Sequence, residues 1–541
     1  MSARNGPGAV RGAGALVDRL RNPACFPHPV RGVELLETHI SWVLLTGEYA
    51  YKLKKPLDLG FLDFSTLAAR AAACAEELRL NRRTAPQLYL EVVPITGTAA
   101  EPRVGGAGTP IDYAVKMREF PQEALLDRVA ARGELGVGLM DELAAAIARF
   151  HSSVERAAPG TAFGSPDEVI APARQNFAQL RPLVGDPAGR AALGRLAAWT
   201  EREFAGRGEA FAARRRDGFV RECHGDLHLG NLIALDGAPV PFDCIEFNPS
   251  FRWIDVMSEV AFLVMDLADH GLAGHAWRFL DAYLAATGDY AGLAVLRFYL
   301  VYRAMVRAKI AALRAHQLPA GTPERGGVER ESRAYLGLAE AFAALDRRAL
   351  VITRGRSASG KTAFARLVVE EIGAIAMRSD LERKRLLGLA PEARTDSPVG
   401  GGIYTPEATA RTYARLLELA RACVEAGFPA VADAAFLAHG DRDAFRGLAR
   451  RLGVPFGIAA CEAPESVLRE RIARRTGDAS EATLDVLAHQ LATEEPLTAD
   501  ERIFAIRVDT RLPPERLRAV AAALGARLGV GPWQPAGARG A

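Results

Sequence analysis

The sequence predicts an α+β region followed by an α/β region, on three grounds. Residues 30–120 hold several strand-like runs around one helical stretch, and residues 140–345 are mostly helical in composition, with a single break. Past residue 345, short apolar runs alternate with helical stretches, the order that builds a doubly wound parallel sheet with helices on both faces. The first apolar run of that second region leads straight into a glycine-rich loop. A chain of 541 residues exceeds what one hydrophobic core supports, so several domains are expected. The expected division is a flexible tail over 1–29, a first domain over 30–345, a second over 346–530 and a flexible tail over 531–541.

In chain order, His39–Leu45 and Glu48–Lys54 read as two strands around the Thr46-Gly47 turn. Ser65–Arg82 reads as a helix, and Leu88–Ile95 and Ile111–Met117 as strands separated by a Gly-rich turn at 104–108. Helices are predicted over Asp141–Val154, Glu168–Leu183 and Gly189–Glu203. The break at Val220–Phe247 carries two short strands, Asn231–Leu235 and Val240–Phe242, around Asp236-Gly237, a hairpin signal. Helices resume at Trp253–Ala268, His275–Ala286 and Leu293–His316, then at Glu329–Leu345 after a Pro/Gly loop. In the second region the strands are Ala349–Thr353, Ala374–Met377, Pro429–Phe436, Phe456–Cys461 and Arg502–Asp509. The helices between them are Ala363–Ile372, Thr405–Ala426, Asp441–Leu452 and Pro464–Arg475, with Pro514–Leu528 last.

Composition narrows the classes. Hydrophobic residues make up 49% and charged residues 25%, as in ordinary globular proteins. A net charge of +3 without a long basic run does not point to a nucleic-acid partner. The six cysteines form no C-x-x-C pair, so neither a zinc site nor a disulfide framework is indicated. The N-terminal residues lack an apolar signal-peptide core, and no apolar run reaches the roughly 18 residues of a membrane span. The expectation is a cytoplasmic protein with no membrane partner. Nothing in the sequence fixes its oligomeric state.

Gly355-Arg356-Ser357-Ala358-Ser359-Gly360-Lys361-Thr362 has the P-loop spacing G-x-x-x-x-G-K-[ST], with a strand before it and a helix after it. In that context the loop's backbone N–H groups wrap a phosphate chain, and the helix N-terminus adds a positive dipole end. Lys361 would reach the outer phosphates of ATP, and Thr362 would hold Mg²⁺.

A second constellation lies upstream. His224-Gly225-Asp226-Leu227-His228-Leu229-Gly230-Asn231 has the spacing H-x-D-x-x-x-x-N of the protein-kinase catalytic loop. There one carboxylate, Asp226, accepts the proton of the attacking hydroxyl, and an amide five residues on, Asn231, reaches Mg²⁺. Asp243, past the hairpin, stands where a second metal-binding acid is needed. HGDLHLGN followed by FD resembles the aminoglycoside phosphotransferase family, within the protein-kinase-like fold, over residues 30–345. The resemblance implies a bilobal domain with Tyr113–Phe120 as hinge, Leu143–His151 as a helix of the second lobe, Asp226 as catalytic base, and Asn231 and Asp243 as metal ligands. It also implies a strand lysine paired with a helix glutamate at the ATP site. Lys52 in Tyr49-Ala50-Tyr51-Lys52 fits, with Lys54 a rival on the same face; Glu77 is the chosen partner, with Glu76 the alternative. No G-x-G-x-x-G precedes that strand, and Thr38-His39-Ile40-Ser41 fills its place.

In the second region, Arg378-Ser379-Asp380 ends a strand, where open α/β sheets place ligands. Asp380 could there take a proton from an acceptor hydroxyl. RSDLERKRL resembles P-loop small-molecule kinases of the gluconate-kinase-like and chloramphenicol-phosphotransferase-like kinds. Asp433 would be the Walker-B-like acid, acting on Mg²⁺ through water. Arg442 and the cluster Arg469, Arg471, Arg474 and Arg475 sit where such kinases carry a lid; Arg471 and Arg475, four residues apart on one face, are the ones assigned to ATP.

The whole layout resembles bacterial bifunctional aminoglycoside phosphotransferase/ATP-binding proteins of the AAA ATPase type. What it implies is an ATP- and Mg²⁺-dependent phosphotransferase with two nucleotide sites, acting on the hydroxyl of a small molecule. The competing readings are an ATP-sensing module in which one domain gates the other, and a P-loop kinase acting on a nucleotide-sugar or nucleic-acid end.

Overall fold

The computed structural model describes residues 7–533 apart from 61, 392, 396, 399 and 475–481. Arg475 and the part of the expected tail from residue 534 onward therefore lie outside the described residues. Compactness divides the chain into residues 1–135, 149–168 and 214–259 on one hand and 136–148, 169–213 and 260–541 on the other. This differs from a single boundary at 345/346, because helices that precede the P-loop in sequence pack with it in space. Among the described residues no helix is long and apolar enough to cross a membrane.

The first unit is built on a six-stranded antiparallel sheet: β1 (Glu34–Glu37), β2 (Ser41–Leu45), β3 (Tyr49–Lys54), β4 (Tyr89–Gly97), β5 (Pro102–Val104) and β6 (Asp112–Arg118), in the order β1-β2-β3-β6-β4-β5. Alternation along β3 decides what each face does. Tyr51 and Leu53 point to one face and join Trp42 and Leu44 in a core that also takes Leu16, Val17 and Leu20. Those last three belong to a helix over Pro7–Leu20, so the flexible tail expected over 1–29 is instead packed from that helix onward. The physical reason is burial of about 1.5–3 kcal/mol for each large apolar side chain, which a Gly- and Arg-rich sequence disguises.

Ala50, Lys52 and Lys54 point to the other face, toward the helix Leu67–Asn81. Thr66 caps that helix, its hydroxyl oxygen accepting the Ala69 N–H at 3.1 Å. The buried positions Arg70, Ala73, Cys74, Glu77, Leu80 and Asn81 keep three- and four-residue spacing, so Glu77 lies on the inward stripe. The catalytic-loop region adds two small antiparallel pairs, β8 (Leu232–Leu235) with β9 (Ala238–Pro241), and β7 (Val220–Glu222) with β10 (Trp253–Asp255).

The second unit contains a five-stranded sheet in which every pairing is parallel: β11 (Leu350–Arg354), β12 (Ile375–Arg378), β13 (Ala430–Asp433), β14 (Phe456–Glu462) and β15 (Ala505–Asp509), in the order β12-β13-β11-β14-β15. All five residues of β11 are buried, as a central parallel strand requires. The order reverses at β11, and ligands in such sheets bind beyond the strand C-termini at that switch point. Arg354, Arg378 and Asp433 end their strands there, with Arg378 and Asp433 in register. The P-loop helix Lys361–Ile372 packs against Pro514–Arg527, while Pro406–Glu425 packs against His439–Leu452. The helix Ala273–Thr287 also packs on the P-loop helix and on β12.

Candidate functional site

Two polar sites emerge, one in each unit. In the first unit, Lys52 Nζ lies 2.7 Å from Glu77 Oε1 and is also paired with Asp243. Lys54 is paired with the other Glu77 oxygen and with Glu246. Both lysines left open by the sequence thus meet Glu77, but Lys52 is the one that also meets Asp243. Glu76 instead pairs with Arg79 and Arg252. Burial works against the Lys52 ammonium, yet Asp243 and Glu77 outweigh it and hold its pKa well above the ordinary lysine value. Burial would likewise raise the Glu77 carboxyl, but the two ammonium groups hold it down at about 2.

Asp243 adopts a left-handed backbone, φ +63°, uncommon outside glycine. Its N–H donates to the Tyr89 hydroxyl at 3.1 Å, and the next N–H, of Cys244, donates to Asn81 Oδ1 at 2.8 Å. These two contacts from the Glu77 helix region and β4 fix the turn that aims Asp243 at Lys52.

The catalytic-loop residues fold back on themselves. Asn231 Nδ2 donates to the carboxylate Oδ2 and the backbone oxygen of Asp226, both at 3.0 Å. His228 Nε2 stands 3.4 Å from the same carboxylate. His224 Nε2–H donates to the Phe242 carbonyl at 2.8 Å, while its Nδ1 accepts the Asp226 N–H at 3.3 Å. That pattern requires the neutral ring, and burial lowers its pKa accordingly. Gly225 has φ +90°, and a Cβ there would come within 2.8 Å of the Phe251 oxygen, so the loop turns where only glycine fits.

Beneath the loop lies a residue that sequence reasoning missed. Glu259, fully buried, accepts the His224 N–H at 3.1 Å, the Gly225 N–H at 2.6 Å and a hydrogen bond from His151 Nε2 at 3.0 Å. Its signal was an acid interrupting the most apolar stretch of the chain. In contrast to Glu77, the Asp226 and Asp243 side chains keep 37% and 39% of their surface accessible, which leaves them as the carboxylates open to a ligand. In place of a glycine loop, Thr38 and Ser41 close a tight turn between β1 and β2, with Thr38 N–H donating to the Ser41 oxygen at 2.9 Å.

In the second unit the loop 355–360 joins β11 to its helix. Gly355 has φ +151°, and a Cβ on it would lie 2.4 Å from the Cys461 oxygen; Ala358 and Gly360 are also left-handed. Lys361 Nζ donates to the Arg356 oxygen at 2.8 Å, across the mouth of the loop. Thr362 Oγ1 donates to Asp433 Oδ2 at 2.7 Å, and Thr353 Oγ1 donates to the other Asp433 oxygen at 3.1 Å. A hydroxyl at the helix start and a strand-end carboxylate thus stand together, two oxygen donors of the kind Mg²⁺ takes. Asp380 lies in the first turn of the helix Ser379–Leu386, and burial raises its pKa although Arg378 nearby opposes the shift.

The arginines divide. Arg471 reaches the loop: it donates to the Ala358 oxygen at 3.2 Å, to Thr510 Oγ1 at 3.0 Å and to the Thr510 oxygen at 2.9 Å. Arg469 and Arg474 pair with glutamates on their own helix turn. Arg442, expected over the phosphates, is buried and bound to Glu501 at 2.8 Å and to nearby carbonyls, so it braces the domain rather than the loop. The sequence reading assigns no element to 484–493, which forms the helix Leu484–Thr493. From it Gln490 accepts the Ser357 N–H at 2.7 Å, and Glu494 just beyond accepts from Arg356 at 2.6 Å and pairs with Arg354.

A family model described as an AAA domain matches residues 350–497. The uncharacterized protein Rv2004c of Mycobacterium tuberculosis is 30% identical over 502 residues, covering 91% of this chain and 96% of that one. Mb2027c of Mycobacterium bovis matches to the same extent. Among solved structures, a sugar kinase from Janibacter is 26% identical over 35% of this chain and 98% of its own, with a TM-score of 0.26. A choline/ethanolamine kinase family protein from Mesorhizobium loti is 12% identical over 61% of this chain and 98% of its own, with a TM-score of 0.36.

Proposed function

The chain belongs to the family of the mycobacterial protein Rv2004c, sharing nearly its whole length, and we propose that it is an ATP- and Mg²⁺-dependent phosphotransferase with two nucleotide sites, acting on the hydroxyl of a small molecule. The observation that carries this reading is one arrangement built twice from unrelated elements. In the first unit Lys52 pairs with Asp243; in the second, Thr362 bonds Asp433, and its neighbour Lys361 reaches across the loop to the Arg356 oxygen.

At the first site, Asp226 is the proton acceptor for the attacking hydroxyl, and Asn231 turns its amide nitrogen to Asp226, leaving its oxygen for a cation. Asn231 and Asp243 would hold Mg²⁺ there, and Thr362 and Asp433 would hold it at the second site. When bound, the ion neutralises charge on the phosphates. Lys52, kept cationic by Glu77, orients the phosphate chain. At the second site the loop N–H groups, Lys361 and Arg471 position the nucleotide, and Asp380, with its raised pKa, holds the acceptor proton.

The test is transfer of labelled γ-phosphate from ATP to a panel of small alcohols, using the full chain and its Asp226→Ala and Lys361→Ala variants. Each variant is expected to remove a different set of phosphorylated products. If ATP turnover in the parent depended on no acceptor in any panel, the reading would fail.

A further inference from the structure

The strand that delivers Asp380 is the edge strand of its sheet, and its outer side is closed from elsewhere in the chain. β12 pairs with β13 alone in the strand order. An edge strand presents unpaired backbone groups outward. At Ala376 both such groups are taken by side chains. The Asp281 carboxylate accepts the Ala376 N–H at 2.6 Å, and the Tyr290 hydroxyl donates to the Ala376 oxygen at 3.3 Å. Both side chains are buried, and they lie on and just after the helix Ala273–Thr287.

Past Asp380 the contact is returned. Arg385, on the helix Ser379–Leu386, donates to the Ala285 oxygen at 2.7 Å, near the end of that same helix. Its guanidinium lies over Gly288, where a Cβ would come within 2.7 Å of Nε. Arg278 joins Asp141 at 2.6 Å and Glu370 of the P-loop helix at 3.2 Å. Trp277 packs on Gly373 and meets the Phe428 ring edge-on at 6.2 Å. Asp380 is therefore anchored two ways, four residues upstream at Ala376 and five residues downstream at Arg385.

We propose that Asp281 and Tyr290 are positioning residues for the P-loop reaction. They stand in for a missing strand beside β12 and thereby set where Asp380 meets the acceptor. The inference rests on the reading of Asp380 as the acceptor-side carboxylate. It makes the second site depend on a helix that sequence order assigns to the preceding domain. Burial pushes the Asp281 carboxyl up to about 7, so the position tolerates a neutral acceptor, and Asn is the conservative replacement.

The test uses the full chain with Asp226→Ala as background, so that ATP turnover which also needs Lys361 reports the second site. Asp281→Ala and Tyr290→Phe are compared with Asp281→Asn for ATP turnover, ATP affinity and amide exchange. Asp281→Ala is expected to speed exchange across 375–380 by about tenfold and to lower turnover by at least about tenfold, with ATP affinity unchanged. Asp281→Asn is expected to keep protection and turnover close to the parent. Unchanged exchange in Asp281→Ala, or faster exchange with unchanged turnover, would overturn the inference, as would an Asn variant as impaired as the Ala variant. Absence of any Lys361-dependent turnover in the parent background would instead sink the functional reading, and the inference with it.

Discussion

Glu259→Gln probes the support under the catalytic loop. The carboxylate accepts three hydrogen bonds, from His151, His224 N–H and Gly225 N–H, with no surface exposed. Glutamine keeps the shape but offers one acceptor oxygen and turns an NH₂ toward a donor. Each bond to a charged group is worth about 1.5–3 kcal/mol, so a net loss of about 3 kcal/mol is expected. Protonation reads the same contacts in another way. Burial would raise the Glu259 pKa, but the His151 bond, the His151 and His224 rings when charged, and the Gly225 N–H bring it from 4.5 to about 2. That shift corresponds to about 3 kcal/mol of stability. Because the folded pKa is depressed, the contribution is complete above pH 4.5 and is lost as pH falls toward 2. For a body of about 200 residues, 3 kcal/mol lowers Tm by about 6–12 °C. Thermal unfolding followed at several pH values, with Asp226-dependent ATP turnover in parallel, reads the effect. The gap between wild type and Glu259→Gln should be widest near neutrality and fall to about half near pH 3. A gap constant from pH 7 to pH 3, or a Tm change below about 1 °C, would rule out Glu259 as a charged support for the loop.

Other perturbations separate the remaining roles. Lys52→Met should lower Asp226-dependent turnover by about a hundredfold through lost phosphate orientation, whereas Lys54→Met should act on stability, by about 3–5 kcal/mol, because it leaves Glu246 buried and unpaired; equal turnover in the two variants would contradict this. Gly225→Ala should destabilise by about 1–2 kcal/mol from the left-handed backbone alone, with the close approach to Phe251 adding to it, and a melt indistinguishable from wild type would count against the loop geometry. Arg471→Ala should weaken ATP binding to the P-loop by about tenfold, the worth of one lost charged hydrogen bond, measured in the Asp226→Ala background.

Much of both sites could be read from local pattern. The P-loop and the H-x-D-x-x-x-x-N run are contiguous, so their spacing survives in sequence, and the β11 and β3 runs carry the periods of a buried and a two-faced strand. Glu77 over Glu76 was also legible, since it falls on the stripe Arg70, Ala73, Cys74, Glu77 and Leu80. What escaped depends on partners far along the chain. Glu259 and His151 stand 108 residues apart, and nothing near either one announces the other. Trp253–Asp255 reads as the start of a helix but pairs as a strand with Val220–Glu222, and the helix begins only at Val256. The N-terminal helix puts Leu16, Val17 and Leu20 into the core, all within its last turn and a half, too short a run for a periodic signal amid glycine. Arg442 shares the composition of a lid arginine, and only its burial against Glu501 assigns it to the interior.

One chain carrying two nucleotide sites should bind two nucleotides. Calorimetric titration of the full chain with a non-hydrolysable ATP analogue and Mg²⁺ tests it most directly. Two equivalents should bind to wild type, one to Lys361→Ala, one to Asp243→Ala and none to the double variant. A wild type that binds one equivalent, lost entirely in either single variant, would contradict it.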